Sequence, residues 1–274
     1  GGGNFVNAVV PTQFSNPDLR WETTTTTNIG LDYGFFNGRI NGTLDYYIKT
    51  TEDLLLEFLV PSPTVVNTVV ANVGEMENSG FELGVNAILL NPESDWGLDI
   101  TGNIAFNTNE VTNLSGAIFG TESIDYFSLI GPGFVGDNAF RIEEGRPIHS
   151  FYAFDFVGFN ESGEELFLDE EGQEVTIQNG DPVRKYFDSA IPDYTFAITP
   201  TLRYKNFDAS IFIRGAGGHS IVNNTLMSLG QPSWLSSGYN IVDGALDENS
   251  TTGTAHEYSD RFIEDASFVR IDYM

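Results

Sequence analysis

Residues able to do chemistry are few in this sequence, and carboxylates come first. Seven stand between Glu161 and Glu174: Glu161, Glu164, Glu165, Asp169, Glu170, Glu171 and Glu174. Calcium takes roughly six to eight oxygen ligands, so Asp169, Glu171 and Glu174, with Asp181 downstream, could hold Ca²⁺. The stretch lacks an Asp-x-Asp-x-Asp rhythm and reads more readily as a solvated acidic loop. His149, His219 and His256 are far apart and show no metal-ligand spacing, which makes them polar loop or lumen histidines. No G-x-S-x-G elbow is present, and among 39 acids the presence of two carboxylates for glycoside hydrolysis carries no information. Enzyme chemistry is therefore not expected. Aromatic residues offer a different chemistry. Tyr126, Phe127 and Phe134 are interleaved with Gly131, Pro132, Gly133 and Gly136, and Trp234 and Tyr239 lie in the last long polar stretch. On loops such rings suit stacking against sugars or packing against a covering protein, and they suit loop-on-loop packing equally well.

The 274 residues carry 39 Asp plus Glu against 12 Lys plus Arg, a formal charge of −27. A nucleic-acid partner is excluded, because phosphate binding needs clustered cations. With 22 Phe and 11 Tyr the apolar content is too high for a disordered acidic chain. Cys is absent, so no disulfide, zinc-thiolate or iron–sulfur chemistry is available. No apolar run approaches the roughly 20 residues of a transmembrane helix, and no signal peptide is visible. A soluble globular protein or a β-barrel of the outer membrane remains.

The elements that must position these residues alternate with period two, the mark of strands. From Trp21 to Phe35 the odd positions hold Trp21, Ile29, Leu31, Tyr33 and Phe35, and the even ones Glu22, Asn28, Gly30, Asp32 and Gly34. Asn37-Gly38 then predicts a two-residue hairpin, with Ile40, Leu44, Tyr46 and Ile48 on the return. A second hairpin joins Phe81, Leu83, Val85, Ala87 and Leu89 to Trp96, Leu98, Ile100, Ile104 and Phe106. A third joins Tyr194, Phe196, Ile198, Leu202 and Tyr204 to Phe207, Ala209, Ile211 and Ile213. The strands reach about ten residues, longer than the five or six of an average strand. Their second face is Asn, Thr, Gly and Asp, as in a watery lumen, and aromatics gather near their ends like interfacial girdles.

Loop lengths alternate too. Short turns fall at 37–38, 91–95 and 205–206, and long polar connections at 61–79, 108–137, 160–193 and 216–266. Strict alternation in a barrel requires one more short turn, for which Glu144 to Arg146 is the candidate, between a descending strand at Ala139 to Glu143 and an ascending one at Ile148 to Gly158. Short turns would be periplasmic and long loops extracellular.

Particular residues sharpen this. Asn16 to Glu22 running into Asn28, Gly30 and Asp32, then Arg39 to Tyr47, Thr51 to Leu55, Asn72 to Glu82, Glu144 to Pro147 with Phe151-Tyr152, Ile191 to Phe196, Tyr204 to Asp208, Gly217 to His219 with Val222-Asn223, and Ile263 to Ile271 follow one another in order. In these motifs the sequence resembles the SusC/RagA group of TonB-dependent outer-membrane transporters of the Bacteroidetes, over nearly its whole length. The resemblance implies an antiparallel transmembrane β-barrel of roughly 22 strands closed by an N-terminal plug. It also implies a multi-pass protein in the lipid of the cell outer membrane, importing glycan oligosaccharides or peptides beneath a SusD-like lipoprotein with energy from the TonB complex. Residues 1–274 would be a C-terminal portion of that barrel, about nine strands, with plug and first half absent. Its last residues, Asp272 to Met274, lie inside an expected strand. No cofactor is implied beyond the Ca²⁺ candidate in an extracellular loop. The alternative is a secreted soluble β-sandwich or adhesin-like module that binds glycans without transporting them.

Overall fold

The computed structural model describes residues 14–59, 68–90, 94–114, 122–131, 137–243, 245–246 and 256–274. In chain order the strands are β1 (Thr23–Phe35), β2 (Ile40–Glu52), β3 (Leu55–Leu59), β4 (Thr68–Asn72), β5 (Glu75–Ile88), β6 (Trp96–Asn113), β7 (Ser123–Ser128), β8 (Asn138–Glu143), β9 (Ser150–Phe154) and β10 (Phe156–Phe159). They continue as β11 (Glu165–Leu168), β12 (Glu174–Val175), β13 (Arg184–Ser189), β14 (Tyr194–Tyr204), β15 (Phe207–Ser210), β16 (Phe212–Gly217), β17 (Ser220–Val222), β18 (Ile263–Asp265) and β19 (Phe268–Tyr273). One short helix, α1 (Asn224–Leu229), follows β17.

One large antiparallel sheet forms a wall in the order β1, β2, β5, β6, β14, β16, β19, with β15 continuing β16 along β14. β15 and β16 part at Ile211, which sits opposite Pro200. Its N–H still donates to the Pro200 carbonyl at 3.2 Å, but proline has no N–H to return and the ladder breaks there.

The register carries the apolar parity from strand to strand. Ile29, Tyr46, Phe81, Phe106 and Tyr194 form one row, Leu31, Leu44, Leu83, Ile104 and Phe196 the next, and Trp96 pairs with Tyr204 at the far end. Trp96 and Phe106 lie ten residues apart on β6. At about 3.3 Å per residue and a tilt of about 40° that spacing projects to about 25 Å, the height of an outer-membrane apolar band. On the opposite parity Tyr47 Oη donates to Asn107 Oδ1 at 2.9 Å, Asn109 Nδ2 to Asn78 Oδ1 at 2.7 Å, and Thr101 Oγ1 to Asn86 Oδ1 at 2.9 Å, while Arg203 reaches Asp99 at 2.8 Å. Two glycines let rings lie flat on the wall. A Cβ at Gly42 would stand 2.6 Å from Tyr33 Oη and one at Gly80 2.5 Å from the Tyr47 ring.

The core is not under the wall but beyond one end of it. Leu129, Ala139, Ala153, Met227, Tyr258 and Phe262 form its largest cluster; Val111, Leu114 and Ile142 form another. Apart from Val111, which the upper end of β6 contributes, they belong to a cap made of the described residues of 114–193 and 218–267, with small sheets β13-β9-β8-β7, β10-β11-β12 and β17-β18.

Two expectations are corrected here. β6 pairs β14 directly over eleven residue pairs, so the segments at Ala139 to Glu143 and Ile148 to Gly158 are not wall strands. They fall in β8, β9 and β10, whose six, five and four residues are too short to cross a bilayer. The Glu144 to Arg146 turn accordingly lies at the cap end. Val111 N donates to Arg146 O and Gly145 N to Val111 O, each at 2.9 Å, against the upper part of β6. Removing two strands leaves the parity of every later loop unchanged. The first hairpin also differs. Phe35 pairs Ile40, so the loop has four residues, and Phe36, Asn37 and Gly38 all take positive φ. The Lys205-Asn206 turn has the two residues expected, with Tyr204 opposite Phe207.

Candidate functional site

The cap is the part of the molecule with a built interior. Phe154 N donates to Tyr258 O at 3.1 Å, Phe156 N to Asp260 Oδ1 at 2.8 Å, and Tyr258 Oη to Ala139 O at 3.0 Å, which ties the 256–262 segment across β8, β9 and β10. Glu165 stands at the centre of this seam. One of its carboxylate oxygens lies 2.7 Å from His256 Nδ1 and 3.5 Å from Arg261, and the other accepts from Glu257 N at 3.0 Å. The Arg261 guanidinium lies 5.1 to 5.2 Å from the rings of Phe156, Phe159 and Phe262. Burial pushes the carboxyls of Glu257 and Asp260 and the hydroxyl of Tyr258 above their ordinary values.

Every Lys and Arg in the cap has a partner. Arg141 holds Asp125 through two bonds of 2.5 and 2.8 Å and lies over Tyr152, Arg184 holds Asp137 at 2.6 Å, Lys185 holds Asp155 at 2.8 Å, and Arg146 lies 3.7 Å over the Tyr186 ring. The acids are in excess, so what remains for a visitor is negative.

Tyr126 and Phe127 are brought together with Phe140, His149 and Phe151. Tyr126 stands 5.4 Å from Phe140 and 5.9 Å from His149, Phe127 is 5.7 Å from Phe140, and Phe140 is 4.8 Å from Phe151. Tyr126 Oη donates to Ile148 O at 2.8 Å and its oxygen faces His149 Nδ1. Burial raises the Tyr126 hydroxyl and lowers the His149 imidazole, so at neutral pH this pair is uncharged. Tyr126 therefore packs loop on loop, whereas Phe127, with φ of 64°, is turned outward and 65% exposed. Trp234 and Tyr239 form a separate edge-on pair at 5.4 Å across a 3-10 turn, Pro232–Ser237. Phe134 lies outside the described residues.

Phe127 opens onto a groove of about 600 Å³ between the β7-β8 hairpin and β17, walled by Leu129, Ile130, Phe140, Ile221 and Val222. Beside it is a polar pocket of about 260 Å³ walled by Asp188, Asp193 and Asp265 with Ser267 and Gly218; His219 and Ser220 belong to both. The aliphatic walls went unread in the sequence. Leu129-Ile130, an apolar pair in a long polar connection, was the available signal.

The four Ca²⁺ candidates run along the β11-β12 hairpin and its exit. Asp169 N donates to Gln173 O at 3.0 Å and its Oδ1 accepts from Gln173 N at 2.8 Å, closing the turn, while Glu171, Glu174 and Asp181 are exposed. Among the described residues no three His, Cys, Asp or Glu converge as a metal site.

Residues 1–247 match the family model described as TonB dependent receptor-like, beta-barrel. The chain is 33% identical over 284 residues to the TonB-dependent receptor SusC of Bacteroides thetaiotaomicron, covering 99% of this chain and 27% of that protein. It is 31% identical over 294 residues to TonB-dependent receptor P3 of Formosa agariphila, covering 98% and 28%. The chain thus spans less than a third of these relatives' length. Among solved structures the RagAB peptide transporter superposes with a TM-score of 0.71 at 23% identity over 93% of this chain and 29% of that one, which is a likeness of fold.

Proposed function

Because this chain belongs to the TonB-dependent receptor-like β-barrel family, in its SusC/RagA group, and so resides in the outer membrane, we propose that it supplies part of the wall and extracellular cap of a nutrient importer. The cargo is a glycan oligosaccharide or a peptide, a SusD-like lipoprotein covers the cap, and the TonB complex drives uptake. The observation that carries this reading is the division of labour in the fold. The wall turns rows of apolar side chains to one side and a hydrogen-bonded Asn, Thr and Tyr network to the other, while the described residues of 114–193 return on one side as a packed cap. A soluble sandwich needs a second sheet packed on the apolar rows, and among the described residues Ile29, Leu31, Tyr46, Phe81 and Phe106 stay exposed. The test is uptake of labelled oligosaccharides and peptides by cells carrying the full-length protein, with and without a functional TonB complex. Loss of uptake without TonB supports an importer; equal uptake in both contradicts it.

A further inference from the structure

We propose that the groove beside Phe127 binds a short peptide in which a Lys or Arg side chain stands next to a large apolar one, the cation entering the pocket of Asp188, Asp193 and Asp265. The inference rests on the importer reading and narrows its cargo. The walls are aliphatic as much as aromatic: Leu129, Ile130, Ile221 and Val222 stand with Phe127 and Phe140. A glycan laid there would strip its hydroxyls of water against groups that cannot hydrogen-bond, an unfavourable transfer, whereas leucine or phenylalanine side chains lose nothing. Within residues 1–274 Ile130 and Ile221 are 81% and 57% exposed, an apolar surface that no other described element covers.

The polar pocket supplies the charge preference. Its three aspartates adjoin the groove through His219 and Ser220, among the described residues no Lys or Arg lines either cavity, and the cap's own cations are all engaged elsewhere. Two polar atoms lining the groove, His219 Nδ1 and Asn224 Oδ1, are buried without a hydrogen-bond partner, as suits sites for a peptide N–H, or for a carbonyl where the imidazole carries the proton. An anionic side chain entering the polar pocket would face the three carboxylates of Asp188, Asp193 and Asp265.

The test uses the full-length protein in detergent and calorimetric binding of a hexapeptide amide alternating lysine and leucine, the same peptide with glutamate for lysine, and maltohexaose. The lysine peptide should bind, and Asp188→Asn with Asp193→Asn should weaken it about tenfold. Both aspartates are exposed, so the fold tolerates the change. Ile130→Ser with Ile221→Ser should weaken it severalfold. The inference is overturned if the glutamate peptide or maltohexaose binds as tightly, or if the aspartate variant binds like wild type. It is also overturned if Ile130→Cys and Ile221→Cys resist a water-soluble maleimide, which would mean that the rest of the protein fills the groove. TonB-dependent uptake without peptide binding defeats this inference alone; peptide binding without TonB-dependent uptake defeats the importer reading and leaves the site.

Discussion

In the wall, Ile29, Leu31 and Phe35 of β1 are 71, 59 and 57% exposed, whereas in the cap Phe151, Phe167, Tyr258 and Phe262 are at most 1% exposed. Both regions are antiparallel and both alternate with period two. They differ in what their apolar faces meet. A face that meets lipid needs no protein partner and can be long, flat and uniformly apolar. A face that must leave water has to be covered by another element, so cap strands are short and cross-tied by side-chain bonds such as Tyr258 to Ala139. The same residue pattern is thus stabilised in two solvents, and the two regions should fail in different ways.

The largest effect is expected in the cap. Phe262→Ala removes a fully buried ring from its core and should cost about 3 to 5 kcal/mol. In the full-length protein, hydrogen exchange should accelerate across β8, β9 and β10 while β2, β5 and β6 keep their protection. Uniform loss of protection in both regions would dissolve the distinction.

The corresponding insult to the wall is Ile100→Arg, midway between the two aromatic rows. Near the bilayer midplane it should cost about 2 to 4 kcal/mol, read as failure to assemble or a lower denaturant midpoint. Thr101→Arg, next door on the polar parity, should be far milder; equal damage from both would mean that the parity is not a lipid boundary.

A smaller change sharpens the cap's side. Tyr258→Phe keeps the ring and deletes the bond to Ala139 O, a loss of about 0.5 to 1.5 kcal/mol. The amides of β8 should then exchange faster and those of the wall should not change.

The smallest effect is electrostatic. Burial raises the Glu257 and Asp260 carboxyls. A raised folded-state value contributes stability that is full below the unfolded carboxyl range and lost as pH rises through the raised value, so at neutral pH these ionised groups weigh against the cap. Glu257→Gln should strengthen the cap at pH 7, and the gain should vanish as pH falls through the raised value. His149 runs the other way: burial lowers its value, and the stability it lends above the unfolded histidine range is lost on acidification. Cap exchange rates corrected for intrinsic pH dependence would separate the two, and a wall responding equally would contradict the assignment.

These two environments explain what the sequence disclosed. The wall parity from Ile29 to Ile213 was legible because alternation over ten or more residues has few other causes. Ala139, Ile142, Phe151 and Ala153 alternate as well, and that pattern alone does not say whether lipid or a folded cap covers them. Strand length carried the missing information: the six residues of β8 and five of β9 cannot span a bilayer. The candidate site was legible in its rings but not its walls. Phe127 and Tyr126 stood out by type, yet Tyr126 turned inward, and Ile130, Ile221 and Asp188 meet only through contacts distant in sequence.

The central claim is that β6 pairs directly with β14, so that the described residues of 114–193, including the Glu144 to Arg146 turn, are expected outside the cell. Residues 1–274 contain no Cys, so any background comes from the rest of the full-length protein and is measured on the unsubstituted protein. Arg146→Cys, Gly172→Cys and Asn206→Cys in the full-length protein should be treated on intact cells with a membrane-impermeant maleimide. Labelling at positions 146 and 172 with silence at 206 is the expected result. Silence at 146 beside labelling at 172, or labelling at 206, would restore the two extra wall strands or invert the wall, and either outcome would contradict the account.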